Sequence, residues 1–302
     1  MSVRELIHDH LELLSLPEVC LRIQQLAEDP RADMLEFSQL VSQDPALTTR
    51  LLKLVNSAYY GFSGRIDTLS RAVNLVGIAE LRNLTLAMGA MKVFGGLENE
   101  RFDMLRFWRH SVHCALLARF LAKRARVLHA ERLFIAGLLH DVGRLLIFSL
   151  LPEAGARIQQ RVAAGEPVSE AERAELGYDH ADAGYQLLDS WKVPPALCIA
   201  VAFHHRPQAA EQARLEASLV YLANQIALQV EDTARAQSSP HADPFGGFTN
   251  PNVLEAAAAR PFIDAIPAEV WPQSGLDASV VEAAVAAAAV DFDEVLNILY
   301  SL

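Results

Sequence analysis

The sequence has little cysteine, and what it has is scattered. Cys20, Cys114 and Cys198 form no CxxC pair, which argues against a disulfide framework and a structural zinc knuckle. Positive charge is also in short supply: 26 Lys and Arg against 37 Asp and Glu leave a formal net charge of -11. Such a chain repels phosphate backbones in bulk, so nucleic-acid binding would need a local basic patch. The best candidate, Arg119, Lys123, Arg124 and Arg126, is interleaved with Phe120, Leu121 and Ala122. It reads as the solvated edge of an amphipathic helix, and no nucleic-acid partner is expected. Uncharged apolar runs long enough to span a bilayer are missing too. Met1 to His10 carries Arg4, Glu5 and Asp9 in place of the apolar heart of a secretory signal, and the Ala-rich stretch near the C-terminus is interrupted by Glu282. The expectation is a cytoplasmic protein with no membrane partner. Neither an internal repeat nor strand-like alternation is present.

What the sequence does have is Ala and Leu, which dominate a hydrophobic fraction of 52%, with aromatics at 7%. Both are strong helix formers that pack closely without β-branching, so the expected fold class is all-α, a multi-helix bundle. Leu35, Leu40, Val41, Leu47, Leu51, Leu52 and Val55 recur at three- and four-residue steps, with Asp44-Pro45 a helix start inside the run. Further helical stretches are expected over 69–97, with Gly77 a turn or a close contact, and over 102–128. A single helix is expected from 130 through His140-Asp141 to 151. Others follow around 153–164, 180–191, 196–205 and 215–230. Ser238 to Pro251 reads as a long irregular loop, then a short helical piece at 253–259 and a docked Ala-rich helix over 278–302.

The histidines carry the chemistry. His110, His140-Asp141, His180 and the pair His204-His205 combine imidazole and carboxylate, the donors suited to zinc, iron or manganese. In a bundle, inward-facing positions of different helices can converge on one ion. His8, His10, His129 and His241 sit in polar or loop surroundings and read as ordinary surface residues. His113 shares a helix face with His110 and reads as a packing or supporting residue.

The segment Ala136 to Leu146, AGLLHDVGRLL, resembles the signature of HD-domain phosphohydrolases. It is preceded by Leu16-Pro-Glu-Val19, Ser42-Gln-Asp-Pro-Ala-Leu47, Arg50-Leu-Leu52, Asn56-Ser-Ala58, Tyr60-Gly61, Leu81-Arg82 and Trp108-Arg-His-Ser111. It is followed by Gly177-Tyr-Asp-His-Ala181, Trp191, Pro194 and Phe203-His-His205. Together these resemble the HDOD family over roughly residues 10–230. The resemblance implies an HD-domain-like bundle, with residues 1–97 the N-terminal half of the module and 98–232 the half carrying the His/Asp cluster. Residues 233–302 would be a loop and helix packed on the same body. It also implies His110, His140, Asp141, His180, His204 and His205 as ligands of a divalent metal, Fe, Zn or Mn, with Asp141 bridging. The related two-metal enzymes end their ligand set on an aspartate, and the matching position here is Asn224. An amide oxygen is neutral and a poorer donor, so one negative charge is lost. Arg144 replaces the usual lysine after the His–Asp turn, and Arg206-Pro207-Gln208 follows His205 where cyclic-dinucleotide phosphodiesterases carry a glycine-containing loop.

Three functions are open at this point. The first is a non-catalytic signal-transduction module with protein partners, whose cavity takes a metal or a small anionic ligand. The second is a metal-dependent phosphohydrolase acting on a nucleotide or other phosphoester, with Asp141 and Arg144 as its catalytic residues. The third is a purely structural bundle.

Overall fold

The computed structural model describes residues 2–28, 34–95, 102–237 and 260–300. It is helical throughout, with no strand among the described residues. α1 (Val3–Asp9) is closed by a reciprocal Ser2–Glu5 capping box. α2 (Glu18–Glu28) and α3 (Met34–Val41) precede α4 (Pro45–Val55). As the sequence implies, Asp44 caps α4, its Oδ1 accepting from the amides of Ala46 and Leu47 at 3.0 Å, with Pro45 in the first turn. α5 (Leu69–Val76) and α6 (Ile78–Phe94) are separated by Gly77 at φ 91°, with nothing within 4 Å of where a Cβ would stand. Gly77 is therefore a left-handed turn rather than a close contact.

The body is organised around α7 (Met104–Arg124), a long helix capped by Asp103. It packs against α8 (Glu131–Leu139), against α14 (Arg214–Gln237) and against the last helix, α17 (Val280–Tyr300). α9 (Val142–Leu150), α10 (Pro152–Ala163), α11 (Val168–Leu176), α12 (His180–Ser190) and α13 (Pro195–Ala202) lie between α8 and α14 in the chain. α15 (Arg260–Ala265) and α16 (Val270–Ser274) precede α17. One hydrophobic cluster runs from Val3 to Leu299. The stretch Glu131–Leu150 has a mean hydropathy of 1.7 and is long and apolar enough to cross a membrane by length and composition, although it carries Glu131, Arg132, Asp141 and Arg144 and so is not an uncharged run. It is 83% buried inside the protein and is the core of the bundle.

Several elements differ from the periodicity reading. The single helix expected over 130–151 breaks at His140–Asp141 into α8 and α9. α13 stops at Ala202, which leaves His204 and His205 in the turn beyond it. α2 and α11 were not apparent from apolar spacing, and the piece expected at 253–259 lies outside the described residues. Arg119 is a correction to the solvated-edge reading: it is buried, donates to the Tyr59 carbonyl at 2.9 Å and lies 3.6 Å from the Tyr59 ring centroid.

Two glycines set the spacing around the break. A Cβ on Gly137 would stand 2.7 Å from the Cys114 carbonyl oxygen, and one on Gly143 would stand 2.0 Å from the His180 carbonyl oxygen. Only glycine lets α8 close on α7 and α9 close on α12 at these points. The His140–Asp141 corner is thereby pressed between the helices that carry His110 and His180.

Candidate metal centre

The residues singled out from the sequence come from separate elements and meet. His110 is on α7, His140 and Asp141 form the α8–α9 corner, His180 opens α12, His204 and His205 follow α13, and Asn224 is on α14. Asp141 Oδ1 lies 3.2 Å from His180 Nε2, 3.5 Å from His140 Nε2 and 3.6 Å from His204 Nε2. His205 Nε2 is 2.8 Å from His180 Nε2. Two imidazole lone pairs that close must have a proton or a cation between them.

The outer nitrogens are fixed by the fold. His140 Nδ1 donates to the Gly137 carbonyl at 2.7 Å and His204 Nδ1 to the Val201 carbonyl at 2.6 Å. His180 Nδ1 donates to Glu172 Oε2 at 2.5 Å, and His110 Nδ1 to Glu231 Oε1 at 2.7 Å. Anchoring one ring N–H on a carbonyl or carboxylate selects the tautomer whose other nitrogen is a lone pair, as metal-ligating histidines require. His140 Nε2, His204 Nε2 and Asn224 Oδ1 are buried without a hydrogen-bond partner. Unpaired buried acceptors are costly, and a cation removes that cost.

Burial holds His140 down to about 3, so its ring is neutral and its lone pair available. Burial would raise Asp141, but the His140 and His180 rings hold its carboxyl well below the usual range. Burial would likewise lower His180, yet the Glu172 and Asp141 carboxylates lift it to about 10. Arg144 Nη1 donates to Asp141 Oδ2 at 3.1 Å. His113 is buried and packs edge-on against Phe292 of α17, its ring centroid 5.7 Å away.

The donor atoms fall into two adjacent groups, Asp141 with His180, His204 and His205, and His110 with Cys114 and His140. Within each, the atoms lie within 4.8 Å of one another. A cavity of about 470 Å³ opens over them, lined by His110, Asp141, His180, His205 and Asn224 and flanked by Arg106 and Arg144. The donor set fits a divalent ion.

Glu172 and Glu231 were missed from the sequence. Glu231 stands seven residues after Asn224, two turns along one face of α14, a spacing that could have drawn attention to it. Glu172 sits on α11, whose apolar spacing gave no helix signal. Only the fold brings it against His180.

The structure is an all-helical HD-type fold with a His/Asp cluster at its heart. The HDOD domain profile matches residues 13–207, and the chain belongs to the HDOD family. An uncharacterized protein of Treponema pallidum (strain Nichols) is 33% identical over 217 residues, covering 70% of this chain. The match spans 42% of that relative's length. The crystal structure of a candidate phosphohydrolase from Shewanella amazonensis SB2B aligns over 98% of this chain and 97% of its own, with 27% identity and a TM-score of 0.72. An HDOD domain protein of unknown function from Geobacter sulfurreducens aligns over 98% and 100%, with 23% identity and a TM-score of 0.69. A candidate signal-transduction protein from Marinobacter aquaeolei VT8 aligns over 97% and 61%, with 21% identity and a TM-score of 0.69.

Proposed function

We propose that this chain is a regulatory signal-transduction module whose depleted HD centre holds a divalent ion without turning over phosphoesters. The observation that carries this reading is Asn224: its Oδ1 is buried and unpartnered where the related two-metal enzymes place a carboxylate. Arg144 on Asp141 Oδ2 acts in the same direction, because a fixed cation occupies the oxygen that would bridge to a second ion. His110, His140, Asp141, His180, His204 and His205 are the residues that would hold the metal, an iron, zinc or manganese ion, with Asn224 beside them. When bound, such an ion supplies Lewis acidity and an acidified water. The chain's own residues supply the rest: His140 stays neutral, the outer nitrogens of His110, His140, His180 and His204 hold their rings in orientation, Asp141 keeps one negative charge, and Arg106 and Arg144 favour a small anion or phosphoester in the cavity. Signalling partners would be proteins that read the state of this cavity.

A phosphohydrolase is the second reading. It is favoured by the 27% identity to the candidate phosphohydrolase of Shewanella amazonensis and by the arginine-flanked cavity, with Asp141 and Arg144 as the catalytic pair. The two separate on one experiment. Protein purified without added metal is analysed for bound metal, then assayed with Mn²⁺ or Fe²⁺ against cyclic dinucleotides, nucleotides and a generic phosphodiester. The regulatory reading expects bound metal and no turnover, with activity emerging in Asn224→Asp. Turnover by the native protein that His140→Ala abolishes overturns it.

A further inference from the structure

The second donor group contains a residue outside the His/Asp pattern. Building on the reading of the cluster as a metal centre, we infer that Cys114 ligates the ion held by His110 and His140 as a thiolate, making that half of the centre selective for zinc-class cations over manganese or magnesium.

Position comes first. Cys114 follows His110 by four residues on α7, so the two project from one face a turn apart. Its Sγ lies 3.5 Å from His110 Nε2, and both sit within 4.8 Å of a ring nitrogen of His140. The contact depends on Gly137, whose missing Cβ lets α8 rest on the backbone of Cys114 itself. The other two cysteines are placed differently: Cys20 and Cys198 each donate to a backbone carbonyl, of Thr85 and Val193, at 3.4 Å. Cys114 alone faces imidazole nitrogen.

Charge is the second argument. The donor atoms grouped here include no carboxylate: Asp141 Oδ1 belongs to the neighbouring group, its Oδ2 is held by Arg144, and Glu231 is engaged on the outer nitrogen of His110. His140 Nε2 remains buried and unpartnered in this group. Two imidazoles by themselves bring a buried divalent cation no counter-charge. A thiolate supplies it. As the sulfur–metal bond forms, the S–H bond breaks and its proton leaves to solvent, with no change of oxidation state. A soft thiolate beside two imidazoles suits zinc and cobalt and disfavours the hard, oxygen-seeking ions.

The test is cobalt(II) titration of chelator-stripped, reduced full-length protein, read by absorption. Wild type, Cys20→Ser and Cys198→Ser should show both the visible d–d bands and a near-ultraviolet thiolate-to-cobalt charge-transfer band. Cys114→Ser should lose the charge-transfer band while keeping d–d bands from the remaining ligands. X-ray absorption on the zinc-loaded wild type, which needs no variant, should show a sulfur neighbour. If cobalt binds with d–d bands but no charge transfer, or zinc has only nitrogen and oxygen neighbours, Cys114 is merely an S–H donor to His110; the inference falls and the metal centre stands. If stripped protein takes up neither cobalt nor zinc, both fall.

Discussion

Arg144 Nη1 donates to Asp141 Oδ2 at 3.1 Å, while Oδ1 of the same carboxylate faces His180 Nε2 at 3.2 Å and the Nε2 atoms of His140 and His204 at 3.5 and 3.6 Å. One buried anion is thus divided between a permanent cation and a cage of imidazoles. The guanidinium carries a permanent positive charge, so it competes with any divalent ion for Oδ2. Removing it leaves the cage one charge more negative.

Arg144→Ala is therefore expected to tighten divalent-ion binding by roughly three- to tenfold, the scale of a partly screened ion pair. Competition with a fluorescent chelator measures it. Weaker binding in the variant would mean that Arg144 organises Asp141 instead of competing for it.

Glu172 has the opposite role. Its Oε2 accepts from both the backbone amide and Nδ1 of His180, at 2.8 and 2.5 Å, fixing the ring from behind. Glu172→Gln keeps the shape but weakens the acceptor that orients His180 and raises its basicity. Metal affinity should fall by about 10- to 100-fold with the helical circular dichroism unchanged. Equal affinity in the variant would reduce Glu172 to a packing residue.

The fold and the cluster were legible to different depths. Asp44-Pro45 announced α4 because capping is local chemistry, and the His/Asp residues stood out because imidazole and carboxylate at buried positions are rare. The break at His140–Asp141 was not legible, since apolar spacing continues across it from Leu139 to Val142 and Leu145. On either side of the break other elements approach closely, at Gly137 and Gly143, which periodicity within one segment does not register. Glu172 and Cys114 were passed over for the same reason. Each looks ordinary until its long-range neighbour is known.

Glu80 gives a pH signature away from the metal centre. It is buried on α6, where the Tyr60 hydroxyl donates to its Oε1 at 2.8 Å. Burial outweighs that bond and raises its carboxyl from 4.5 to about 7. A carboxyl whose folded value lies above its unfolded one favours the fold when protonated. Its contribution is complete below about pH 4.5 and is lost as pH rises through about 7. Glu80→Gln cannot titrate, so the variant should gain on the native protein between pH 5 and pH 8 by on the order of 2–3 kcal/mol, a Tm difference of several degrees. Parallel melting curves for the two proteins across that range would sink the assignment.

Gly143 supplies the sharpest steric test. A methyl group there would stand 2.0 Å from the His180 carbonyl oxygen and 2.6 Å from the Gly184 amide nitrogen. Both are backbone atoms of α12, so no side chain can turn away to make room. Gly143→Ala must push α9 and α12 apart, at a cost of about 3 kcal/mol or more. The same displacement draws His180 away from Asp141, so metal binding should weaken beyond what the lost stability explains. Gly155→Ala is the control: its Cβ would meet the Phe148 ring at 2.6 Å, a side chain that can turn, and neither residue is one of the proposed ligands. Thermal melts and metal titrations on both variants distinguish a general packing defect from a displaced centre. Gly143→Ala should lose both stability and metal, and Gly155→Ala should lose stability alone.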